Sequence, residues 1–107
     1  MKAYFTRIEE IDRERGKAGA LYREFLRVPA MSAGLYVLPA GASDSQQPHH
    51  QDEIYYVIRG RGRLRAGDED TEVSAGSVLF VAAEIEHRFH DVTDELVLLV
   101  LFAPADN

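Results

Sequence analysis

Short apolar segments recur along the chain and are separated by polar turns. Most of them are rich in β-branched and aromatic residues, and glycine, proline or acidic residues bound them. The segments are Met31–Gly41, Glu53–Gly60, Arg63–Asp70, Gly76–Ala83, His87–Val92 and Glu95–Pro104. Strand-like segments that return about every 8–12 residues between turn signals predict an all-β sandwich or barrel.

Residues 1–30 lack this pattern and form an N-terminal extension. A helical pattern covers only Ile8 to Arg15, which is short and highly charged. The stretch that follows, residues 16–28, is compatible with a strand or with an irregular lead-in. We therefore expect the extension to be a strand or irregular, and residues 31–105 to form a single barrel domain.

Composition narrows the possible functions. The chain has 107 residues, enough for one domain, and its formal net charge of −6 argues against nucleic acid or an anionic membrane as a partner. Without cysteine it has no disulfide, thiolate metal site or cysteine nucleophile. Its longest apolar run, Leu96–Ala103, is far shorter than the roughly 20 residues of a membrane helix, and its N-terminus lacks a signal-peptide pattern. We expect a cytoplasmic protein.

A basic stripe has two interpretations. Alternate positions of one predicted strand carry arginine, at Arg59, Arg61, Arg63 and Arg65. The stripe is either a patch for a carboxylate, a phosphate or RNA, or an outward face balanced by the acidic stretch that follows, with Leu64 pointing to the core. The negative net charge favours the second interpretation.

Two histidine clusters carry the candidate chemistry. Side chains two and four apart on a strand share a face, which groups Gln47 with His49 and Glu53 and separates them from His50 and Asp52. In the second cluster, His87, Phe89 and Asp91 share one face, and Arg88 and His90 the other. Imidazole and carboxylate are the metal donors that this chain offers. The pattern alone is equally typical of a surface histidine pair.

The spacing of these residues resembles that of the cupin superfamily. The first cupin motif has glycine, histidine, histidine, glutamate and glycine at intervals that Gly41, Gln47, His49, Glu53 and Gly60 reproduce, with glutamine in place of the first histidine. The second motif has glycine, proline, glycine, histidine and asparagine. Its positions fall on Gly76, Ala82, Glu84, His87 and Asp91, of which only the glycine and the histidine match in type.

The resemblance implies a cupin-type double-stranded β-helix, or jelly-roll barrel, that holds one divalent metal ion. His49, Glu53 and His87 would be its ligands, and the metal would be iron, manganese, nickel or zinc. Gln47 would add a weak carbonyl ligand or stand back and leave a position open. His50 would be a solvated neighbour or would support the ligands from behind. Asp91 would orient a ligand or a bound water from behind. Tyr55 and Phe89 would line the cavity or, alternatively, fill the core.

The resemblance leaves three functions open. The first is a metal-dependent enzyme that acts on a small oxygenated or carboxylated metabolite by dioxygenation or isomerisation. The second is a binding module that holds a small ligand, or senses the metal, without turnover, and the third is a metal-free structural domain. Small cupins are commonly homodimers, and we expect residues 1–30 to cover a sheet edge and help form the dimer contact.

Overall fold

A computed structural model describes residues 2–45 and 48–106 of the chain. Over these residues it has one helix and six strands, so the predicted all-β class is confirmed. The elements are α1 (Ile8–Ala18), β1 (Tyr22–Val28), β2 (Met31–Leu38), β3 (Asp52–Ala66), β4 (Glu69–Ser74), β5 (Val78–Val81) and β6 (His87–Ala103). No helix in this part of the chain is long and apolar enough to cross a membrane.

The strands form an antiparallel sheet in the order β1-β2-β6-β3-β4, and β5 pairs with β3. This sheet closes into a β-barrel. The interior is filled by apolar side chains from several strands, among them Leu38, Val57, Val73, Leu96 and Leu98. The run Leu96–Phe102 lies in the middle of the sheet, between β2 and β3, which explains its nearly continuous apolar sequence.

Two long strands replace four of the segments that the sequence predicts. β3 continues through Gly60 and Gly62, and β6 continues through Asp91 and Asp94, although these residues resemble turn signals. The pairing of β3 with β6 accommodates these residues through shifts in register between Val57 and Arg63. Such bulges bend a strand sharply without ending it.

Gly60 permits the bend. Its φ is 105°, a conformation that side chains rarely adopt, and a Cβ there would collide with the backbone carbonyl of Glu95. Gly62 is also close to the opposite strand, where a Cβ would press on Val92 and Leu96. The absence of a side chain at this corner lets β3 and β6 approach each other closely.

The N-terminal extension builds onto the outside and the edge of the barrel. α1 ends at Gly19, whose φ of 68° is typical of a helix C-cap, and it buries Ile11 against Leu35, Val37 and Val97 on the outer face of β2 and β6. β1 pairs with β2 along its length. The extension thus contains a helix longer than the sequence pattern predicts, and its strand is part of the sheet.

The arginine stripe lies on the outside of β3, and Leu64 between its members is buried. Arg63 Nε donates to Asp70 Oδ1 at 2.9 Å, and Arg63 Nη1 lies 3.7 Å from Glu72 Oε1. Arg65 Nη1 lies 3.8 Å from Asp70 Oδ2. The neighbouring strand β4 therefore balances much of the positive charge. The structure supports the interpretation of the stripe as a solvated outward face.

An apolar patch is exposed on the outer face of β3 and β5. Ile54 pairs with Phe80 and Tyr56 with Val78, so the four side chains are adjacent, and Val78 and Phe80 are 67% and 64% exposed. Exposed apolar patches mark interaction sites. None of the four residues is charged, so two copies can meet here without like charges facing each other. We propose that a second copy covers the patch in a homodimer.

The dimer predicts a mass in solution of about twice 12.0 kDa by light scattering at micromolar concentration. Phe80→Glu should shift the mass toward that of one chain, because it places a charge in the contact. Thr71→Glu, at an exposed residue of β4 outside both the patch and residues 1–30, is the matched control and should leave the dimer intact. A wild-type mass near 12.0 kDa would contradict the proposal.

The bend predicts that Gly60→Ala destabilises the protein more than Gly76→Ala does. Both glycines have a positive φ, of 105° and 92°, but nothing lies within 4 Å of a Cβ at Gly76. Gly76→Ala should therefore cost only backbone strain, about 1–3 kcal/mol of unfolding free energy, and Gly60→Ala should add the collision with Glu95. Urea unfolding measures both changes, and equal losses would mean that the close approach at Gly60 is unimportant.

Candidate metal centre and cavity

Glu53 is fixed near the beginning of β3, where this strand lies between two others. It pairs with Phe102 of β6 on one side and with Val81 of β5 on the other. Since side chains alternate along a strand, Glu53, Tyr55 and Val57 share the buried face of β3. The carboxylate therefore enters the barrel, where the Glu53 side chain is 1% exposed.

His87 begins β6 directly after a tight turn. Glu84 in that turn has a left-handed φ of 70°, and the Glu84 N–H donates to the carbonyl oxygen of His49 at 2.7 Å. His87 Nδ1 lies 2.9 Å from the Ile85 carbonyl oxygen, which can only accept a hydrogen bond. The neutral imidazole is thereby held as the tautomer whose Nε2 carries the lone pair.

The fold brings His49, Glu53 and His87 together, as the motif spacing predicts. One ligand atom from each lies within 4.8 Å of the others, and the two imidazole rings are 5.7 Å apart between centroids. His87 pairs with Ala66, thirteen residues beyond Glu53 on β3, which on a flat ladder would be about 40 Å away. Its Nε2 is nevertheless 3.1 Å from Glu53 Oε1, because the ladder folds over at its bulges.

The charges in this cluster act on His87. Burial lowers the pKa of His87, but the Glu53 carboxylate, the Ile85 carbonyl and the charge of Asp44 together raise it above its ordinary value. The negative electrostatic potential around His87 therefore favours a cation at Nε2. A proton and a metal ion compete for this position, because only the neutral imidazole binds a metal.

The donors fit a divalent metal ion. Both Glu53 oxygens are buried, and neither finds an aligned hydrogen-bond donor in the described part of the chain. A buried carboxylate without such partners is costly, and coordination to a cation compensates that cost. Two imidazoles and one carboxylate form the set typical of non-haem iron, and the same donors bind zinc, manganese or nickel.

Two further residues, Gln47 and Asp91, were predicted for the metal site, and the outcomes of these two predictions differ. Gln47 lies outside the described residues, so its role stays a prediction. Asp91 is not brought to the site. Its side chain is 76% exposed and pairs with His90 at 3.0 Å. The reason is its φ of 47°, which interrupts the alternation of β6 so that Val92 is buried instead.

Asp44, which the sequence pattern did not single out, is a buried carboxylate beside the start of β6. Its Oδ2 accepts the Phe89 N–H at 2.8 Å, and its Oδ1 accepts the Tyr36 hydroxyl at 2.9 Å. Asp44 thus holds the start of β6 and a tyrosine of β2 in place. No periodicity marks it in the sequence, because it lies in the loop after β2.

The remaining histidines lie on the surface. His50 Nδ1 is 2.6 Å from Glu84 Oε1, and its side chain is 74% exposed, as expected for a solvated neighbour of His49. His90 bridges Asp70 and Asp91 on the outside of the barrel. The alternation argument therefore separated the histidines that face inward from those that face outward.

A cavity of about 140 Å³ adjoins the donor cluster at His49, which forms part of its lining. It is lined by Tyr22, Tyr36, His49, Tyr55, Val100, Phe102 and Asp106. Tyr55 lines it as predicted, and its hydroxyl is 3.1 Å from His87 Nε2. Phe89 is not among the described lining residues. It packs edge-on behind Tyr55, with ring centroids 4.9 Å apart, and so fills the core as in the alternative interpretation.

Sequence reasoning missed the three polar lining residues Tyr22, Tyr36 and Asp106. Tyr22 comes from β1 and Tyr36 from β2, and their rings meet edge to face at 6.4 Å between centroids. Asp106 follows β6, and its Oδ1 is 3.5 Å from His49 Nδ1. The Asp106 N–H donates to the buried hydroxyl of Ser32, which fixes the C-terminal segment across the cavity.

Comparison with known proteins places these features in a family. The profile described as a cupin domain matches residues 34–103. Protein SCO3923 of Streptomyces coelicolor is 45% identical over 107 residues, 100% of each chain. TT1209 from Thermus thermophilus has a TM-score of 0.77 at 21% identity, over 96% of this chain and 99% of that chain. The DMSP lyase DddQ from Ruegeria pomeroyi has a TM-score of 0.66 at 21% identity, over 71% of this chain and 39% of that chain. The last two likenesses concern the fold.

The site predicts which histidines control metal binding. Alanine in place of His49, Glu53 or His87 should lower the affinity for Zn²⁺ or Mn²⁺ by at least about tenfold, because each change removes a donor. His50→Ala is the matched control for His49→Ala, and His90→Ala for His87→Ala. Isothermal titration after chelator treatment measures the affinities. Equal losses from His49→Ala and His50→Ala would mean that the wrong histidine of the pair has been assigned.

Proposed function

The chain belongs to the cupin family, and on that premise we propose that it is a metal-dependent enzyme acting on a small oxygen-bearing metabolite. His49, Glu53 and His87 would hold one divalent ion at the inner end of the cavity. When bound, such an ion supplies Lewis acidity to an oxygen of the substrate. The likeness to the fold of a lyase is consistent with an enzyme but does not identify the reaction.

The buried Glu53 carboxylate carries this proposal. Its side chain is 1% exposed and its Oε1 lies 3.1 Å from His87 Nε2, yet neither carboxylate oxygen has an aligned hydrogen-bond donor in residues 2–45 and 48–106. An apolar residue of similar size would pack there at lower cost. The arrangement is accounted for by a ligand that meets the carboxylate in the working protein.

The surrounding residues position and shield this centre. Ile85 orients His87, and the Tyr55 hydroxyl approaches His87 Nε2 from the buried side. Val100 and Phe102 give one wall of the cavity an apolar surface, and the Phe102 ring lies 4.8 Å from that of His49 between centroids. Apolar walls exclude water and strengthen the electrostatic interactions inside the cavity.

Between the two reactions considered, the cavity favours isomerisation. Isomerisation through an enediol-like state needs a group that takes a proton from carbon and returns it, whereas dioxygenation needs a redox-active metal. Asp106 places a carboxylate in the cavity wall, 3.5 Å from His49 Nδ1. This carboxylate is suited to accept the proton, and the protonated acid to return it at the neighbouring carbon.

Proton exchange tests the proposed reaction. Protein loaded separately with Fe²⁺, Mn²⁺, Ni²⁺ or Zn²⁺ is incubated in D₂O with a panel of small hydroxy-aldehydes, hydroxy-ketones and 2-oxo acids, and NMR follows deuterium uptake at carbon. We expect uptake that requires metal, is lost in Glu53→Ala and persists in His50→Ala. Uptake should also fall in Asp106→Asn while metal affinity is retained.

The other outcomes distinguish the alternatives. Oxygen consumption only with Fe²⁺ would replace isomerisation by dioxygenation. Binding of a panel member without turnover, measured by calorimetry, would favour the non-catalytic ligand-binding module. Failure of every metal to bind the wild-type protein would contradict the proposed function as a whole and favour a structural domain.

A further inference from the structure

Tyr22 stands apart from the other tyrosines of the cavity. It is contributed by β1, outside the residues that the family profile matches, yet it lines the same cavity as His49. The hydroxyls of Tyr36 and Tyr55 have protein neighbours, Asp44 at 2.9 Å and His87 at 3.1 Å. The Tyr22 hydroxyl is buried and has no hydrogen-bond partner in the described part of the chain.

The backbone opposite Tyr22 makes room for this side chain. The Tyr22 ring lies across Gly34 of β2, and a Cβ at Gly34 would collide with the Tyr22 Oη and Cζ atoms. Glycine in the interior of a strand lowers the stability of that strand. At Gly34 this loss of stability makes room for the Tyr22 ring. A buried hydroxyl without a partner adds a second cost, which phenylalanine would avoid.

The hydroxyl is held in its donor form. Burial raises the pKa of Tyr22 well above its ordinary value, and the nearby carboxylates Glu24, Asp106 and Glu53 raise it further. Tyr22 also shares the cavity with His49, one of the three proposed metal donors. A neutral hydroxyl at this position can donate a hydrogen bond to an acceptor oxygen in the cavity.

The charges of the cavity limit what can bind there. Its described lining includes no lysine or arginine, and Asp106 contributes a carboxylate. A ligand with two negative charges would find only the metal to compensate them and would face Asp106 as well. A ligand that is neutral, or that carries its single charge on the oxygen at the metal, avoids this repulsion.

The size of the cavity sets a further limit. Its volume of about 140 Å³ is close to that of engineered protein cavities of about 150 Å³ that hold benzene. The enclosed part of the ligand is therefore about six non-hydrogen atoms. A sugar phosphate or a nucleotide would extend beyond the cavity.

We propose that Tyr22 is a specificity-determining residue, whose hydroxyl donates a hydrogen bond to an acceptor oxygen of a small, neutral or singly charged ligand. The inference rests on the proposed function, because the ligand binds beside the metal held by His49, Glu53 and His87. It narrows the substrate class to small carbonyl or hydroxy-carbonyl compounds and monocarboxylates. It also gives the N-terminal extension a role in recognition.

Tyr22→Phe tests the inference, since it removes the hydroxyl and keeps the ring across Gly34. Wild-type and variant proteins are loaded with Co²⁺, and acetohydroxamic acid, a small neutral chelator, is titrated while the visible spectrum of the metal is recorded. We expect Tyr22→Phe to weaken binding of this probe about three- to tenfold. Its Co²⁺ affinity should match the wild type, and its melting temperature should be equal or higher.

Tyr4→Phe, at an exposed tyrosine away from the cavity, is the matched control and should change neither affinity. The charge limit is tested with oxalate, a dianionic chelator of similar size: Asp106→Asn should tighten oxalate severalfold and change acetohydroxamic acid by less than about twofold. Unchanged probe binding in Tyr22→Phe, with Co²⁺ bound, would overturn the inference alone. Failure of the wild-type protein to bind Co²⁺ would overturn the proposed function on which it rests.

Discussion

The fold of the β3–β6 ladder onto itself is the constraint on which the site depends. Glu53 and His87 belong to opposite ends of this ladder, yet their side chains meet inside the barrel. The contact requires both strands to bend at the same corner, where Gly60 allows the backbones to touch and Asp91 adopts a left-handed φ. Straight strands would leave the two donors too far apart for any metal, whatever their chemistry.

The bend explains how a small chain combines a rigid centre with an accessible cavity. Glu53 and His87 lie on strands whose hydrogen bonds fix their backbones, whereas His49 lies in the loop that precedes β3. The Glu84 N–H ties this loop to the turn before His87, so the third donor is attached to the element that carries the second. Donors on strands are held more precisely than donors on loops, and this attachment reduces the difference.

The sequence predicted the inward-facing donors better than it predicted their surroundings. His49, Glu53 and His87 were found because motif spacing reflects where strands begin, and His50 was separated from them by the period of two. Asp91 was placed wrongly because a single left-handed residue shifts that period, and nothing in the local pattern reveals the shift. Gly60 was assigned to a strand end for a similar reason, since a bulge and a turn both favour glycine.

Tyr22 and Asp106 mark the limit of reasoning from local pattern. They lie 84 positions apart and belong to the two ends of the chain, yet both line the cavity beside His49. Tyr22 is carried there because β1 pairs with β2, and Asp106 because Ser32 of β2 holds the segment after β6. β2 therefore holds both ends of the chain beside the cavity. Family spacing identifies the candidate metal donors within the matched region, while the residues that we propose to distinguish one substrate from another come from outside it. On this proposal, recognition is a property of the assembled sheet rather than of a motif.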